Sequence, residues 1–214
     1  IGTRPINIHL QGLSKLGAKF KIENGFVIGN TVNKLKGDKI KLPYPSVGAT
    51  ENILMASVLA SGETVIDQAA REPEIVDLGN CLISMGAKIK GLVKNKIFVQ
   101  GVDSLNVSKY NIISDRIVAG TYVILAVMLN CKFKVKNFDP DHLKSLIIIL
   151  KKMGANIETL KNSINISPSD KLKSTNVVTA PYPGFPTDLQ AQLMALMSIV
   201  NGNSQIKETV FENR

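Results

Sequence analysis

Apolar and polar positions along the chain follow two periods, one typical of helices and one typical of strands. Apolar residues at helical spacing predict amphipathic helices over residues 8–16, 75–85 and 143–153. Between the helices lie short segments in which apolar and polar side chains alternate, as they do in half-buried strands: residues 19–22, 88–90, 132–135 and 164–166. Helices and strands in such an order predict an α/β protein.

Three further helices are predicted that are apolar on most of their faces. They cover residues 51–60, 118–129 and 189–200. A helix that is apolar all round is buried, whereas each predicted strand presents one polar face to solvent. We therefore expect βαβαββ-like units in which sheets form the outside and buried helices share a core.

One five-residue phrase occurs three times, as LGAKF at residues 16–20, MGAKI at 85–89 and MGANI at 153–157. Its glycines, Gly17, Gly86 and Gly154, recur at almost equal intervals, each just after a predicted amphipathic helix. Glycine closes helices because it accepts a positive φ, and the next residues then begin a strand. The chain is therefore predicted to contain copies of one structural unit.

The formal net charge of +9 favours anionic ligands such as nucleic acid, membrane surfaces or phosphorylated small molecules. The basic residues are spread singly, which indicates solvated faces rather than a nucleic-acid interface.

Cys81 and Cys131 belong to no CxxC motif or Cys/His cluster, so the sequence gives no metal site. We expect both to be reduced in a cytoplasmic protein. The longest apolar run, residues 122–129, is too short to span a membrane.

A proline-rich loop, APYPGFPTDLQ at residues 180–190, is the strongest candidate for chemistry. Thr187 is predicted to cap the following helix, which would place Asp188 in the first helical turn. Gly184 is expected to permit a turn that other residues resist. Asp188 on such a fixed element could act as a general base or orient a ligand. The alternative is a carboxylate that only steadies the helix.

A second candidate is the segment Ser46, Val47 and Gly48, which leads into another predicted helix. Unpaired N–H groups at helix starts bind anions, and several converging helix starts would strengthen such a site. The alternative is a plain serine cap and a tight turn. Arg4 lies in a loop before the first helix and could bind phosphate or carboxylate, although most loop arginines are only solvated.

Two other features are not expected to carry chemistry. His9 has no recognisable partner in the sequence, so we do not expect it to be catalytic. Asp115 and Arg116 precede another predicted helix and are expected to form a structural ion pair.

Four longer motifs together resemble the UDP-N-acetylglucosamine 1-carboxyvinyltransferases, the enolpyruvyl transferases that open bacterial peptidoglycan synthesis. They are PSVGATEN at residues 45–52, AREPEIVD at 70–77, PYPGFPTDLQAQ at 181–192 and TVFENR at 209–214. The resemblance runs from Ile1 to Arg214 and covers the middle of a family chain about twice as long. It implies an inside-out α/β barrel of βαβαββ units. Residues 1–114 would form the later part of a first domain and residues 115–214 the early part of a second.

The resemblance also implies a reaction and a set of site residues. The enolpyruvyl group of phosphoenolpyruvate would pass to the 3-hydroxyl of UDP-N-acetylglucosamine with release of phosphate, without a cofactor or metal. Asp188 would contact that hydroxyl as the base, and Arg4 would lie near phosphoenolpyruvate. Ser46, Val47 and Gly48 would hold the diphosphate. Further contacts with the UDP-sugar would come from Arg4, Pro5, Ile6, Asn7, Ile8 and, through its backbone, Val210.

The sequence departs from the family pattern at several points. The reactive cysteine of the family would lie two residues before Ile1, and neither Cys81 nor Cys131 matches it. We therefore expect the chain to be inactive alone and to need the remainder of its own chain. Asn7 stands where many relatives have Asp, and Tyr44 where some have Lys.

Two alternative functions remain open on the sequence. One is the shikimate-pathway enolpyruvyl transferase, which shares the fold. The other is a basic, repeat-built nucleic-acid-binding module, although aromatic stacking residues are scarce. Our leading interpretation expects neither a nucleic acid nor a membrane as a partner.

Overall fold

A computed structural model describes residues 6–211, which form two compact units that meet in sequence between Ile112 and Ile113. Residues 1–5 and 212–214 lie outside the described residues. The assignment of residues 1–114 and 115–214 to the later and early parts of two domains stays a prediction.

The elements of both units follow the predicted alternation of helices and strands. Unit 1 contains α1 (Asn7–Lys15), β1 (Lys19–Glu23), β2 (Phe26–Asn30), β3 (Lys39–Lys41), α2 (Val47–Ser57), β4 (Glu63–Asp67), α3 (Pro73–Ser84), β5 (Lys88–Lys90) and β6 (Lys96–Gln100). Unit 2 contains α4 (Arg116–Met128), β7 (Phe133–Lys136), α5 (Lys144–Met153), β8 (Asn156–Leu160), β9 (Ser163–Ser167), β10 (Asn176–Val178), α6 (Gln190–Ser198) and β11 (Gln205–Lys207). Short 3₁₀ helices, Pro140–Leu143 and Thr187–Leu189, precede α5 and α6.

One complete βαβαββ unit runs from β3 to β6. Its four strands form a sheet in the order β3-β4-β6-β5. The first two strands are parallel and are connected through α2, whereas β6 pairs antiparallel with both β4 and β5. The predicted motif is therefore present in unit 1.

The other elements repeat parts of the same pattern. In unit 2, β7, β9 and β8 form an antiparallel sheet with the arrangement of β4, β6 and β5. The strands β10 and β11 are parallel and are connected through α6, as β3 and β4 are through α2. At the start of unit 1, α1 leads into the antiparallel hairpin of β1 and β2.

The three repeated glycines end α1, α3 and α5 in the same way. Gly17, Gly86 and Gly154 have φ values of 102°, 103° and 102°. The alanine after each glycine donates its N–H to a carbonyl in the last turn of the helix, at 3.2, 3.0 and 2.9 Å: Ala18 to Leu13, Ala87 to Leu82 and Ala155 to Leu150. A left-handed residue with this backward bond is a Schellman-type helix end.

The residue before each glycine makes a second repeated contact. Its carbonyl accepts a backbone hydrogen bond from a residue that follows the next strand pair, at 2.9, 2.8 and 2.7 Å: Leu16 from Lys36, Met85 from Asn106 and Met153 from Lys173. The repeat in the sequence is thus a repeat of backbone geometry. Its hydrogen bonds hold the chain before and after each of the strand pairs β1-β2, β5-β6 and β8-β9.

Each unit has its own hydrophobic core, to which the apolar helices contribute one face. In α2, Ile53 and Leu54 are fully buried while Met55 is 46% exposed. In α4, Val123 is fully buried while Tyr122 is 52% exposed. The apolar residues on the other faces of these helices are therefore exposed in this chain. Within residues 6–211, no helix has both the length and the hydropathy to cross a bilayer.

The strands agree with the predicted alternation in two of four cases. Ile89 in β5 and both isoleucines of β9 are buried between more exposed neighbours. In β1, by contrast, only Phe20 is even partly buried. Among residues 6–211, the β1-β2 hairpin pairs with no further strand. In β7, Phe133 is exposed and its ring stacks on that of Tyr122 with centroids 6.3 Å apart.

A substitution at Gly17 tests the closure of the helices by left-handed glycine. An added Cβ would meet no atom within 4 Å, so the only cost of Gly17→Ala is its backbone conformation. We expect a loss of about 1–2 kcal/mol in the free energy of unfolding, measured by denaturant titration. Gly17→Asn should lose less, because asparagine tolerates this region. An alanine variant as stable as the wild type would contradict this explanation.

Candidate functional site

The start of α2 is built by the segment that the sequence singled out. Ser46 has an extended backbone and caps the helix, and its Oγ accepts a hydrogen bond from the N–H of Ala49 at 3.4 Å. The helix begins at Val47, four residues earlier than predicted. Val47 and Gly48 therefore lie in the first turn, where backbone N–H groups lack helical partners. The cap is present, and anion binding at this turn stays a prediction.

Thr50 ties the start of α2 to the residues that precede α3. Its side chain is fully buried. The Thr50 hydroxyl donates to the carbonyl of Ser46 at 2.7 Å and accepts from the N–H of Ala70 at 3.0 Å. One hydroxyl thus fixes two helix starts relative to each other.

His9 joins α1 to the same place. Its Nδ1 lies 2.7 Å from the side-chain amide nitrogen of Asn52. A Cβ placed on Gly48 would lie only 3.1 Å from the Cε1 atom of His9. No partner of His9 could be recognised in the sequence, because Asn52 and Gly48 are distant from it along the chain. The first turn of α1, with Asn7 and Ile8, is thereby held against the first turn of α2.

Three carboxylates gather where α2 and α3 begin. Burial, followed by the nearby charges of Glu74 and Glu72, raises the pKa of Glu51 above its ordinary value. Glu72 is itself buried, and its carboxylate accepts a hydrogen bond from the N–H of Arg71 at 2.9 Å. The positive end of the α3 dipole favours the carboxylates of Glu72, at the cap, and Glu74, in the first turn.

An open groove of about 510 Å³ lies beside this region in unit 1. Its lining includes Ile8, Lys15, Phe20 and Leu42. Of the predicted site residues that the structure describes, Ile8 alone lines it, so the groove is not assigned to the site.

In unit 2, the proline-rich loop is a compact turn held by its own backbone. The N–H of Ala180 donates to the carbonyl of Phe185 at 3.0 Å, and that of Gly184 donates to Pro181 at 2.9 Å. Phe185 is buried, and the Tyr182-Pro183 peptide bond is cis. Gly184 is required because there is no space for a side chain: a Cβ at this position would lie 2.6 Å from the Cβ of Ala180. Its φ is not one that favours glycine.

The predicted capping role of Thr187 is wrong. Thr187 is the first residue of the 3₁₀ helix Thr187–Leu189, and Pro186 occupies the cap position without a side-chain bond. The Thr187 hydroxyl instead donates to Glu208 at 2.8 Å. Asp188 therefore lies in a 3₁₀ turn before α6, where its side chain is exposed.

The turn that carries Asp188 is anchored by the next residue, Leu189. Its side chain is fully buried, and the absence of a Cβ on Gly120 lets it pack closely against α4. An added Cβ on Gly120 would lie 2.6 Å from Leu189 Cδ1. The backbone at Asp188 is thus attached to the core of unit 2, as expected of a fixed functional element.

Val210, the last predicted contact residue, has an amide that is already engaged. Its N–H donates to Glu208 at 2.6 Å, and the N–H of Phe211 donates to the same carboxylate at 3.1 Å. Glu208 was not identified from the sequence, because its partners Thr187 and Val210 belong to different segments and no local pattern marks it.

Asp115 and Arg116 each have a contact of their own, and the predicted ion pair between them stays a prediction. The carboxylate of Asp115 caps α4 by accepting from the N–H groups of Ile117 and Val118 at 2.7 and 3.1 Å. Arg116 is buried with its guanidinium 5.9 Å from the centroid of the Tyr182 ring, a cation–π distance. Arg116 therefore packs on the proline-rich loop.

Two groups of predicted site residues emerge from this geometry. In unit 1, Ile6, Asn7 and Ile8 begin α1 next to Ser46, Val47 and Gly48 at the start of α2. In unit 2, Glu208 links Thr187, the residue before Asp188, to Val210. Arg4 and Pro5 lie outside the described residues. That both groups contribute to one site stays a prediction.

Comparison with known sequences identifies relatives across the whole chain. A protein family described as EPSP synthase (3-phosphoshikimate 1-carboxyvinyltransferase) matches residues 1–214. Proteins named UDP-N-acetylglucosamine 1-carboxyvinyltransferase from Halothermothrix orenii and Pelagibacter ubique are 52% and 50% identical over 214 residues. Each match covers 100% of this chain and 51% of the relative, so the chain spans about half the length of these proteins.

Comparison with solved structures identifies the fold. The enolpyruvyl transferase NikO from Streptomyces tendae superposes with a TM-score of 0.87 at 21% identity, over 100% of this chain and 53% of NikO. An EPSP synthase from Acinetobacter baumannii gives 0.66 at 23% identity, over 95% of this chain and 48% of that protein. The fold predicted from the sequence, that of the enolpyruvyl transferases, is therefore confirmed.

Removal of the Thr50 hydroxyl tests whether it fixes the two helix starts. Thr50→Val keeps the shape of the side chain but leaves the N–H of Ala70 without its acceptor. We expect a loss of about 1–3 kcal/mol in the free energy of unfolding, whereas Thr50→Ser should retain most of the stability. Denaturant titration of both variants decides the matter, and equal stabilities of the valine and serine variants would refute the role.

The carboxylate cluster predicts a pH dependence of stability. Because the pKa of Glu51 is raised above 4.5 in the folded protein, the folded state binds this proton more tightly than the unfolded state. The resulting stabilisation is present below pH 4.5 and is lost as the pH rises through the raised pKa. Glu51→Gln should therefore be more stable than the wild type at neutral pH, and this advantage should disappear in acid.

Unfolding titrations at a series of pH values measure this difference. Glu63→Gln, which removes an exposed carboxylate on β4, is the matched control and should show no such trend. A Glu51→Gln advantage that persists unchanged in acid would disprove the electrostatic explanation.

Proposed function

The chain belongs to the EPSP synthase family, and on that premise we propose that it is part of a UDP-N-acetylglucosamine 1-carboxyvinyltransferase. Such an enzyme transfers the enolpyruvyl group of phosphoenolpyruvate to the 3-hydroxyl of UDP-N-acetylglucosamine and releases phosphate, which opens peptidoglycan synthesis. The observation that carries the proposal is the 52% identity, over all 214 residues, to a relative of that name.

The diphosphate of the nucleotide sugar is assigned to the first turn of α2. Free N–H groups of Val47 and Gly48, with the positive end of the helix dipole, suit an anion. The space that a Gly48 side chain would take is next to the His9 ring, so the ligand would meet the backbone N–H groups from another side. The turn is held by the hydrogen bond from the Thr50 hydroxyl to the Ser46 carbonyl, and α2 is held to α1 by the contact of His9 with Asn52.

The remaining contacts with the UDP-sugar are assigned to the neighbouring start of α1. Ile6, Asn7 and Ile8 would contact the nucleotide sugar from there, because α1 is held against the start of α2. Arg4 and Pro5 would extend this contact, and Arg4 would also approach phosphoenolpyruvate.

Asp188 is assigned the role of base. A sugar hydroxyl is a weak nucleophile, and a carboxylate within hydrogen-bond reach can take its proton as the oxygen attacks C2 of phosphoenolpyruvate. C3 gains a proton in this addition. It loses one again in the elimination, when the bond from C2 to the phosphate oxygen breaks and the double bond re-forms. The exposed side chain on an anchored turn suits this role.

Val210 is assigned a contact with the sugar through its carbonyl. Its N–H already donates to Glu208 at 2.6 Å, so the carbonyl is the backbone group left to meet a ligand. Asp188 and the Val210 carbonyl would then approach the same hydroxyl from two segments of unit 2.

The complete reaction would require the remainder of the protein. This chain spans about half the length of the relatives named UDP-N-acetylglucosamine 1-carboxyvinyltransferase that it matches, so the assigned residues would form only part of the site of the complete enzyme. Cys81 and Cys131 are both free thiols, which supports a cytoplasmic location.

Membership of an enzyme family leaves no reason to propose a nucleic-acid-binding module.

A shikimate-pathway transferase is the second candidate, because the matching family and one structural neighbour carry that description. The identity to the EPSP synthase from Acinetobacter baumannii is 23%, against 52% to the nucleotide-sugar enzyme of Halothermothrix orenii. This difference favours UDP-N-acetylglucosamine as the acceptor.

The test is an assay of phosphate release by the complete protein that contains this chain. Phosphoenolpyruvate with UDP-N-acetylglucosamine should give turnover, and phosphoenolpyruvate with shikimate 3-phosphate should not. Asp188→Asn should lower kcat by about 10²–10⁴-fold with an unchanged circular dichroism spectrum. Asp170→Asn, at an exposed carboxylate of the same unit, is the matched control and should remain active.

Turnover with shikimate 3-phosphate instead would transfer the assignment to the second candidate. A folded Asp188→Asn variant with near-normal kcat would restore the purely structural role of that carboxylate.

A further inference from the structure

Glu208 engages both of its carboxylate oxygens with segments that are far apart in sequence. Oε2 accepts the hydroxyl of Thr187 at 2.8 Å. Oε1 accepts the backbone N–H groups of Val210 at 2.6 Å and Phe211 at 3.1 Å. One side chain thus spans from the residue before Asp188 to the segment that contains Val210.

The backbone that carries Glu208 is fixed by strand pairing. Glu208 directly follows β11, which pairs in parallel with β10. The two strands remain joined beyond the pairing, because the N–H of Thr179 donates to Lys207 at 2.9 Å and the N–H of Thr209 donates to the Thr179 hydroxyl at 2.9 Å. The proline-rich loop leaves from the end of one strand and Glu208 from the end of the other.

Charge makes these contacts stronger than neutral hydrogen bonds. Partial burial alone would raise the pKa of Glu208, but hydrogen bonds from Thr187, Val210, Phe211 and Thr179 outweigh it and lower the pKa below its ordinary value. The side chain is therefore ionised at neutral pH. Hydrogen bonds to an ionised acceptor are shorter and about twice as strong as neutral ones.

We propose that Glu208 is a positioning residue that holds Asp188 and the Val210 backbone in the geometry needed by the reacting sugar hydroxyl. This inference rests on the proposed function, in which Asp188 is the base and the Val210 carbonyl contacts the sugar. The contact with Thr187 orients the turn of Asp188 and should govern kcat. The contacts with the two amides orient Val210 and should govern the KM for the nucleotide sugar.

The two contacts can be separated by mutation in the complete protein. Thr187→Val removes only the hydroxyl, so kcat should fall by about 10- to 100-fold, the range expected for a misplaced catalytic group, with KM for UDP-N-acetylglucosamine almost unchanged. Glu208→Ala removes both contacts, so kcat should fall to a similar extent and KM should also rise. Thr187→Ser, which keeps the hydroxyl, should restore kcat.

A double-mutant cycle distinguishes positioning from a general loss of stability. Since both changes remove the same contact to the Asp188 turn, kcat of the Glu208→Ala, Thr187→Val double variant should be close to that of Glu208→Ala alone. Glu158→Ala, at another partly hydrogen-bonded carboxylate of unit 2 that is exposed, is the matched control and should leave kcat and KM unchanged. If Glu208→Ala does not fold, Glu208→Gln takes its place in the cycle.

The outcomes also separate this inference from the proposed function. A wild-type protein without turnover on UDP-N-acetylglucosamine and phosphoenolpyruvate would overturn the proposed function itself. An active wild type whose Thr187→Val and Glu208 variants retain kcat within about twofold, or whose losses multiply in the double variant, would overturn only the role of Glu208.

Discussion

The structure depends on the way in which its amphipathic helices end. A helix leaves its last carbonyl groups without partners, and here three helices resolve this with one left-handed glycine and a backward hydrogen bond. The carbonyl of the preceding residue is then free to accept a bond from the chain that returns after the next strand pair. Because the same bonds recur at Gly17, Gly86 and Gly154, each copy places its strands in the same relation to its helix.

With the C-terminal ends fixed in this way, the N-terminal ends of the helices are available for other contacts. In unit 1, the starts of α1, α2 and α3 are joined by two polar side chains, His9 and Thr50. The positive end of the α3 dipole lies beside the carboxylates of Glu72 and Glu74, whose charges, together with burial, raise the pKa of Glu51 in α2. An anionic ligand at the start of α2 would therefore be attracted by the helix dipole and repelled by the nearby carboxylates.

In unit 2, the main structural feature is the way in which the exposed carboxylate of Asp188 is positioned. Asp188 lies on a 3₁₀ turn, a short element with poor hydrogen-bond geometry of its own. Its position is set by neighbours: Leu189 packs into the core on one side, and Thr187 is bound by Glu208 on the other. The same Glu208 carboxylate holds the amide of Val210. The ionised carboxylate of Glu208 thus holds the turn of Asp188 and the segment of Val210 together through side-chain hydrogen bonds rather than strand pairing.

The sequence by itself determined the features that depend on local chemistry. The repeated glycine phrase predicted where helices end, because only glycine accepts the required φ without strain, and hydrophobic period predicted the elements between them. Tertiary structure decided the contacts between distant segments. Thr187 lies inside the 3₁₀ helix rather than at its cap, and its hydroxyl bonds the carboxylate of Glu208. His9 acquires Asn52 as a partner only when α1 and α2 pack together. Such pairings bring together groups that no local pattern connects, so they become visible only once the chain has folded.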